Sequence, residues 1–498
     1  MDLITTQSVI FTCAILLISG VLFGKLSYRL GVPLLLVFLI VGMCFGVDGL
    51  GLSFSDMHTA QSIGMITLCV ILFSGGLETK YSSIKPVIAP GLVLSTVGVL
   101  LTALLTGIFA WWLSGMSWSN IHFAFMPSLL LAATMSSTDS ASVFGILGSQ
   151  KVGLKQNLRP MLELESGSND PMAYMLTIIL IEVVNLGSDL SALTLAKQLL
   201  MQFSIGGVLG YAMGKFAIWL IGRYKAMGDK GGNDEEQDSS MVSIMTLGCV
   251  FLTFTITDWI QGNGYLAVYL MGIVVGNAKI PFKRGLSRFV GGMSWFGQIV
   301  VFLMLGLLVN PHEMLEVATV SVLIGVFMIL VGRPLSVLVC LLPFKKFTWQ
   351  ARTLVSWVGL RGAAPIIFAT YPVVAGVEGS SIIFNIVFFV TLLSLVIQGT
   401  TIVRFSRKLD LIEQPKVNES DFGVELSESL PTALTTRTIT STDLKNGNTL
   451  RDMNIPAGQL VMMIRRGDKY IVPNGTLKLK DRDDLLIIEN KKENIHNE

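Results

Sequence analysis

The stretch Glu163-Leu164-Glu165-Ser166-Gly167-Ser168-Asn169-Asp170-Pro171 opens an otherwise apolar segment that runs to about Val184. Each charge carried into a bilayer interior costs roughly 2.5–3.5 kcal/mol on insertion scales, so buried acids there are kept where an ion or proton must meet them. On helical spacing Glu163, Ser166 and Asp170 fall at i, i+3 and i+7 and share a face, while Glu165 and Asn169 form an adjacent stripe. Pro171 has no N–H and would free a backbone carbonyl beside the acids. A soluble helix start with acidic caps would explain the same residues, but its flanks would not be apolar.

Of 498 residues, 52% are hydrophobic and 14% charged, against about a quarter charged in ordinary soluble domains. The chain therefore reads as an all-α polytopic membrane protein. A net charge of +2 without basic blocks interleaved with aromatics excludes a nucleic-acid binder. Cys13, Cys44, Cys69, Cys249 and Cys340 stand singly in apolar runs, so neither a disulfide framework nor a zinc site is indicated. The histidines lie in expected loops, at a span edge or in the tail, which leaves carboxylates to carry any proton through the middle. The first apolar stretch lacks a basic leader and reads as a permanent span.

Apolar stretches of spanning length fall near 8–24, 33–47, 60–78, 87–113, 123–147, 161–185, 197–222, 241–260, 264–277, 289–309, 316–341, 352–371 and 381–403, about thirteen in all. The loops alternate in sign. Lys25 and Arg29, Lys80 and Lys85, Lys155 and Arg159, Arg223 and Lys225, Lys283 and Arg284, Lys345 and Lys346, and Arg404 with Arg407 mark one side; Asp48, Asp56, Glu182, Glu313 and Glu378 mark the other. The positive-inside rule puts the N-terminus outside and the C-terminus in the cytoplasm. This predicts a transmembrane domain over 1–403, with two inverted six-helix repeats (about 8–185 and 241–403) joined by a linker helix at 197–222. Inverted repeats place their site on interrupted helices at matching positions. Span five holds Thr134-Met135-Ser136-Ser137-Thr138-Asp139-Ser140 and span twelve holds Ser356-Trp357-Val358-Gly359-Leu360-Arg361-Gly362. Both read as unwound, crossed segments, with Asp at an exposed helix N-terminus and Arg at a C-terminus. Gly206, Gly207, Gly210 and Gly214 show the spacing of close helix packing or a dimer face.

A linker at 404–420 is expected, then a small cytoplasmic α/β or β-rich domain over 421–498. Leu460–Ile464, Tyr470–Pro473 and Leu485–Ile488 read as its strands, with Asn474-Gly475 as a turn.

A hard monovalent cation takes oxygen ligands. Asp139, Asp170, Ser166 and backbone carbonyls near Thr138 offer them. Asp170 is the expected exchanging carboxylate, holding a cation or a proton but not both. Since Asn169 is neutral, one exchanging charge implies one proton per cation and electroneutral exchange. Glu165 and Arg361 are expected to form a buried ion pair between spans six and twelve. Glu78 and Glu163 are candidate acids of a cytoplasmic funnel. Asp258 reads as a loop charge, and Arg333 as a side chain that snorkels to the interface or, as the second reading, caps a broken helix. A potassium channel with a ligand-sensing tail would need a carbonyl-lined filter, and no such stretch is present. An enzyme would need a nucleophile–base pair or metal cluster, and the sequence offers neither.

At Thr138-Asp139, Glu165-Ser166, Asn169-Asp170 and Gly359-Leu360-Arg361-Gly362 the chain resembles the monovalent cation/proton antiporter superfamily, in its NhaP-type bacterial branch, over roughly residues 8–403. The resemblance implies a homodimer in the bacterial inner membrane, with a rigid dimerisation domain and a moving core domain. It implies cation ligands at Thr138 (backbone), Asp139, Ser166 and Asp170, a Glu165–Arg361 pair, and electroneutral exchange for the Asn-Asp form. The family's proline after the span-five aspartate is Ser140 here. The tail resembles the C-terminal half of an RCK (TrkA-type) regulatory unit without its GxGxxG half. That module accompanies potassium handling and suggests potassium, with sodium as the alternative cargo. No resident cofactor is expected, beyond a possible nucleotide or ion ligand on the tail.

Overall fold

The computed structural model describes residues 3–490 except 31–32, 53, 120, 150–151, 188–191, 229–234, 414–431, 441–442, 454, 457 and 468. The chain divides into two compact units, Met1–Glu413 and Gln414–Glu498.

The first unit is almost wholly helical. Its helices are α1 (Leu3–Leu30), α2 (Leu34–Phe45), α3 (Met57–Glu78), α4 (Tyr81–Ser114), α5 (Phe125–Thr134), α6 (Ser140–Ser149), α7 (Leu158–Leu186) and α8 (Ala192–Gly228). There follow α9 (Glu235–Trp259), α10 (Gly264–Gly276), α11 (Lys283–Leu308), α12 (Pro311–Leu341), α13 (Trp349–Trp357), α14 (Ala363–Val374) and α15 (Ser380–Lys408). Among the described residues seven of these are long and apolar enough to cross a membrane, and shorter apolar helices lie between them. Large apolar side chains such as Phe11, Leu22, Leu200, Val208 and Trp219 face outward. A water-soluble surface rarely carries such a run; this is a membrane protein.

Helix pairs approach closely where glycine removes the side chain. A Cβ on Gly76 of α3 or Gly272 of α10 would strike the backbone of the other helix, and the same holds for Gly42 of α2 and Gly306 of α11. Gly206 and Gly210 of α8 lie against the backbone of α10 in the same way, while Gly207 faces open space. The glycine pattern thus serves packing within the chain. Two helices carry a single π-helical turn, at Leu94–Gly98 in α4 and Met328–Gly332 in α12. Such turns widen a helix locally and are frequent at functional sites.

Pro171 does not interrupt α7, which stays helical from Leu158 to Leu186. The true breaks are elsewhere. Residues 135–139 separate α5 from α6, and residues 358–362 separate α13 from α14.

The expected linker from residue 404 begins later in the structure. Arg404–Lys408 complete α15, and β2 (Ile412–Glu413) pairs antiparallel with β1 (Gly153–Leu154). Lys155 adds a backbone bond to Leu411 (3.0 Å) and a salt bridge to Asp410 (3.3 Å). These bonds tie the segment to the first unit. Residues 414–420 of that expected linker lie outside the described residues.

The second unit holds a four-stranded antiparallel sheet in the order β3 (Thr432–Thr438), β6 (Asp484–Asn490), β4 (Gln459–Arg466), β5 (Lys469–Ile471). Ile439, Val461, Ile464, Leu479, Leu485 and Ile487 form its core. Alternating apolar residues favour strands, and its described helical content is one short turn at Asp443–Asn446. The described part is therefore β-rich, the second of the two expected forms, and not the α/β one. Arg465–Asp484 (3.0 Å) and Arg466–Asp483 (2.7 Å) brace adjacent strands and loops.

Candidate functional site

The two helix breaks meet. The Asp139 N–H donates to the Leu360 carbonyl at 2.8 Å, and the Arg361 guanidinium donates to the Ser137 carbonyl. Each break leaves orphan backbone groups that a buried site must satisfy, and here each break supplies partners for the other. Arg361 is 1% exposed, and its own N–H donates to Ser394 Oγ at 3.0 Å. Asp139 caps α6: its carboxylate accepts from the Ser142 N–H (3.1 Å) and from the Ser142 hydroxyl. Capping puts a negative side chain on the positive end of a helix dipole. A side chain on Gly362 would fall onto this carboxylate, so only glycine lets the two breaks cross so closely.

Helix α7 lies against the crossing. Ser166 Oγ donates to the Thr138 carbonyl (2.8 Å) and accepts from the Ser140 N–H (3.0 Å). The fully buried Asn169 donates from Nδ2 to Thr138 Oγ1 at 2.5 Å, with its Oδ1 unpartnered. Asp170 faces Ser137, and its carboxylate feels the charges of Asp139 and Arg361. Asp139, Ser166 and Asp170 line one cavity of about 540 Å³ that reaches past Tyr269 to Glu78, Arg159 and Glu163. Glu163 pairs with Arg159 one turn back on α7 (2.8 Å). The cavity walls come from the end of α3, the starts of α2 and α7, α6, the middle of α11 and the Gly399 region of α15. Those helix ends adjoin the Lys- and Arg-bearing loops, so the cavity belongs to the basic half of the unit. Gly167 lets the Tyr269 ring lie directly against α7, because a Cβ there would overlap the ring.

One pairing differs from expectation. Glu165 is bonded to Arg333, not to Arg361. The two side chains are 1% and 3% exposed, so Arg333 does not snorkel; it turns inward from the π-helical turn of α12 and packs over Gly359. Arg361 stays within electrostatic range of Glu165 and Arg333, but its hydrogen bonds go to the crossing. Sequence missed this because an Arg near a span end before a proline ordinarily reaches for water, and the π-turn that redirects it has no sequence signature.

Paired helix breaks that cross, with acids on both the crossing and the neighbouring helix, make an oxygen-lined site suited to a monovalent cation. The sequence pattern of the sodium/hydrogen exchanger transmembrane family matches residues 13–408. The chain belongs to this exchanger family. Among its relatives is the K(+)/H(+) antiporter NhaP of Alkalimonas amylolytica, 37% identical over 482 residues, which span 94% of this chain and 80% of that protein. The K(+)/H(+) antiporter NhaP2 of Shewanella oneidensis is 34% identical over 496 residues, 99% of this chain and 83% of that protein. The solved sodium proton antiporter MjNhaP1 from Methanocaldococcus jannaschii at pH 8 superposes with a TM-score of 0.64 at 21% identity, covering 81% of this chain and 99% of that one. That likeness concerns the exchanger fold.

Proposed function

We propose that the chain is a secondary antiporter that exchanges potassium, or sodium, for protons across the bacterial inner membrane by alternating access. The carrying observation is that Asp139, Ser166 and Asp170 line one cavity at the point where two broken helices cross. Thr138 supplies a carbonyl there, and Asn169 holds the Thr138 side chain. A proton and a cation compete for the Asp170 carboxylate.

The buried charges support one-for-one exchange. Asp139, Glu165 and Asp170 stand with Arg333 and Arg361, so three carboxylates and two guanidinium groups leave one formal negative charge. One monovalent cation or one proton neutralises it. Moving an unneutralised charge through a low-dielectric interior is heavily penalised, so the loaded and protonated forms are the ones that reorient. Potassium as cargo is favoured by the relatives named K(+)/H(+) antiporters.

The same proposal includes about thirteen crossings in two inverted repeats. It is supported by the π-helical turns in α4 and α12, the breaks after α5 and α13, and the matched glycine contacts of α3 with α10 and α11 with α2. With the basic loops inside, the cavity is the cytoplasmic funnel lined by Glu78 and Glu163, the N-terminus is outside, and the β-rich tail is a cytoplasmic regulatory unit of RCK C-terminal type. A homodimer is part of this assignment.

The test is dequenching of a pH-sensitive dye in everted vesicles when potassium or sodium is added. Wild-type protein is expected to respond to potassium, and Asp170→Ala to neither ion. Exchange that survives Asp170→Ala, or net charge movement per cycle in proteoliposomes, overturns the assignment.

A further inference from the structure

The break between α13 and α14 is bridged from α15. In an unbroken helix the Arg361 N–H would donate to the Trp357 carbonyl four residues back. Instead the N–H donates to Ser394 Oγ at 3.0 Å, and the carbonyl accepts from Gln398 Nε2 at 2.8 Å. Between them the Ser394 hydroxyl donates to Gln398 Oε1 at 2.5 Å. A run of three bonds, from Arg361 through Ser394 and Gln398 to Trp357, thus stands in place of one helical bond. Every donor in it meets an acceptor, and a carbonyl that can only accept fixes which way the Gln398 amide points. Ser394 and Gln398 lie one turn apart on the same face of α15 and are 0% and 1% exposed.

The bridge spans the part of the break that faces the crossing. Leu360 stands inside the bridged turn, and its carbonyl accepts the Asp139 N–H at 2.8 Å. Gly362, just beyond, lies directly against the Asp139 carboxylate. A buried N–H and carbonyl left unpaired each carry a desolvation cost, so an unbridged turn would be driven to close its own bond. Closing it would wind Leu360 into a helix and turn its carbonyl away from Asp139. At the other break one hydroxyl does comparable work: Ser166 Oγ of α7 spans the Thr138 carbonyl and the Ser140 N–H. Further along α15, Thr401 Oγ1 accepts from the Trp357 indole N–H at 3.0 Å, and the Phe405 ring stacks on the indole at 4.9 Å. Those two contacts hold the Trp357 side chain and not the backbone of the break.

We infer that Ser394 and Gln398 are positioning residues of the exchange site, a two-residue splint that keeps the α13–α14 break open and sets where Leu360 holds Asp139. The inference rests on the antiport proposed above. Neither side chain lines the cavity that holds Asp139, Ser166 and Asp170; both act through the backbone of the break. Because the bridge is one continuous run, removing either member breaks it, and removing the second after the first changes nothing more. Bonds in such a run also polarise one another, which couples the two side chains further.

Ser394→Ala and Gln398→Met, singly and together, test this in the full-length protein. Dye dequenching in everted vesicles is followed against potassium or sodium concentration, with each rate divided by the amount of folded protein. Each single variant is expected to raise the half-saturating cation concentration about threefold to tenfold, the equivalent of one buried hydrogen bond, with the maximal rate little changed. The double variant is expected to match the singles. Thr401→Val, which releases the indole but spares the bridge, is expected to keep the wild-type half-saturation. An unshifted half-saturation in either single variant, shifts that multiply in the double, or an equal shift in Thr401→Val overturns the splint. So does a variant that no longer purifies as a folded species, because a splint of this kind costs affinity before it costs the fold. Asp170→Ala run in parallel separates the two ideas: exchange lost there with unshifted single variants leaves the cation site standing and removes the splint alone, whereas exchange kept there removes Asp170 from the site.

Discussion

Replacing Arg333 with methionine is the sharpest perturbation of the buried core. The Glu165–Arg333 pair is 1% and 3% exposed, and removing one partner of a buried pair costs about 3–5 kcal/mol because the other charge is left uncompensated. Glu165 Oε2 and Arg333 Nε lack hydrogen-bond partners, so the pair is incompletely satisfied and the expected loss is about 3 kcal/mol, the lower end of that range. Arg361 also feels Glu165, but its guanidinium is bonded to the Ser137 carbonyl. A double-mutant cycle separates the two arginines. Unfolding of Arg333→Met, Arg361→Met, Glu165→Gln and both doubles is measured in mixed micelles under reversible conditions. Glu165 is expected to couple to Arg333 by about 2 kcal/mol or more, as close buried charge pairs do, and more weakly to Arg361. The Glu165→Gln/Arg333→Met double should recover part of the single-mutant loss, since an apolar replacement for both partners is often neutral. Stronger coupling of Glu165 to Arg361 would refute the pairing and restore the one expected from sequence.

Four further outcomes follow from the site and the tail. Ser166→Ala removes the hydroxyl that donates to the Thr138 carbonyl; at about 0.5–1.5 kcal/mol per bond the half-saturating cation concentration should rise by roughly twofold to tenfold, read as dye dequenching against cation concentration. Asp139→Ala takes away both a proposed cation ligand and the α6 cap, so it should abolish exchange and lower stability by about 1 kcal/mol; cation-dependent activity persisting there would remove Asp139 from the proposed ligand set. Gly362→Ala places a methyl group on the Asp139 carboxylate, and exchange should fail while the protein still purifies as a folded species by size exclusion. In the tail, hydrogen bonds from Thr440 first and then the Arg437 guanidinium hold the Asp443 carboxyl down to about 2. A depressed carboxylate stabilises the fold above its unfolded value near 4 and loses that contribution as pH falls towards 2; hydrogen exchange in β3 and β6 of the full chain should separate Asp443→Asn from wild type at pH 7, and the gap should close on acidification.

Much of this was legible in the residues. Apolar length and alternating loop charge located the helices, and the polar islands at Thr134–Ser140 and Ser356–Gly362 marked the breaks that meet in the structure. The set Asp139, Ser166 and Asp170 lines one cavity because helical spacing alone put Ser166 and Asp170 on one face. Side-chain direction at a distance was not legible. Arg333 turned inward beside a π-helical turn and met Glu165, 168 positions away. Nor did the sequence announce that β2 would carry the chain back onto β1 after α15. Each of these depends on which helices become neighbours, and local pattern carries no record of that.

The glycine contacts between α3 and α10 and between α2 and α11 divide the molecule mechanically. Where two backbones touch with no side chain between them, sliding by even one residue drives a Cβ into a peptide plane, so each pair behaves as a welded strut. Contacts built from rings and hydroxyls, such as those among Tyr174, Tyr265 and Tyr371, can break and re-form with a change of rotamer. Any stroke of this transporter must therefore shear along its aromatic joints and leave its glycine joints untouched.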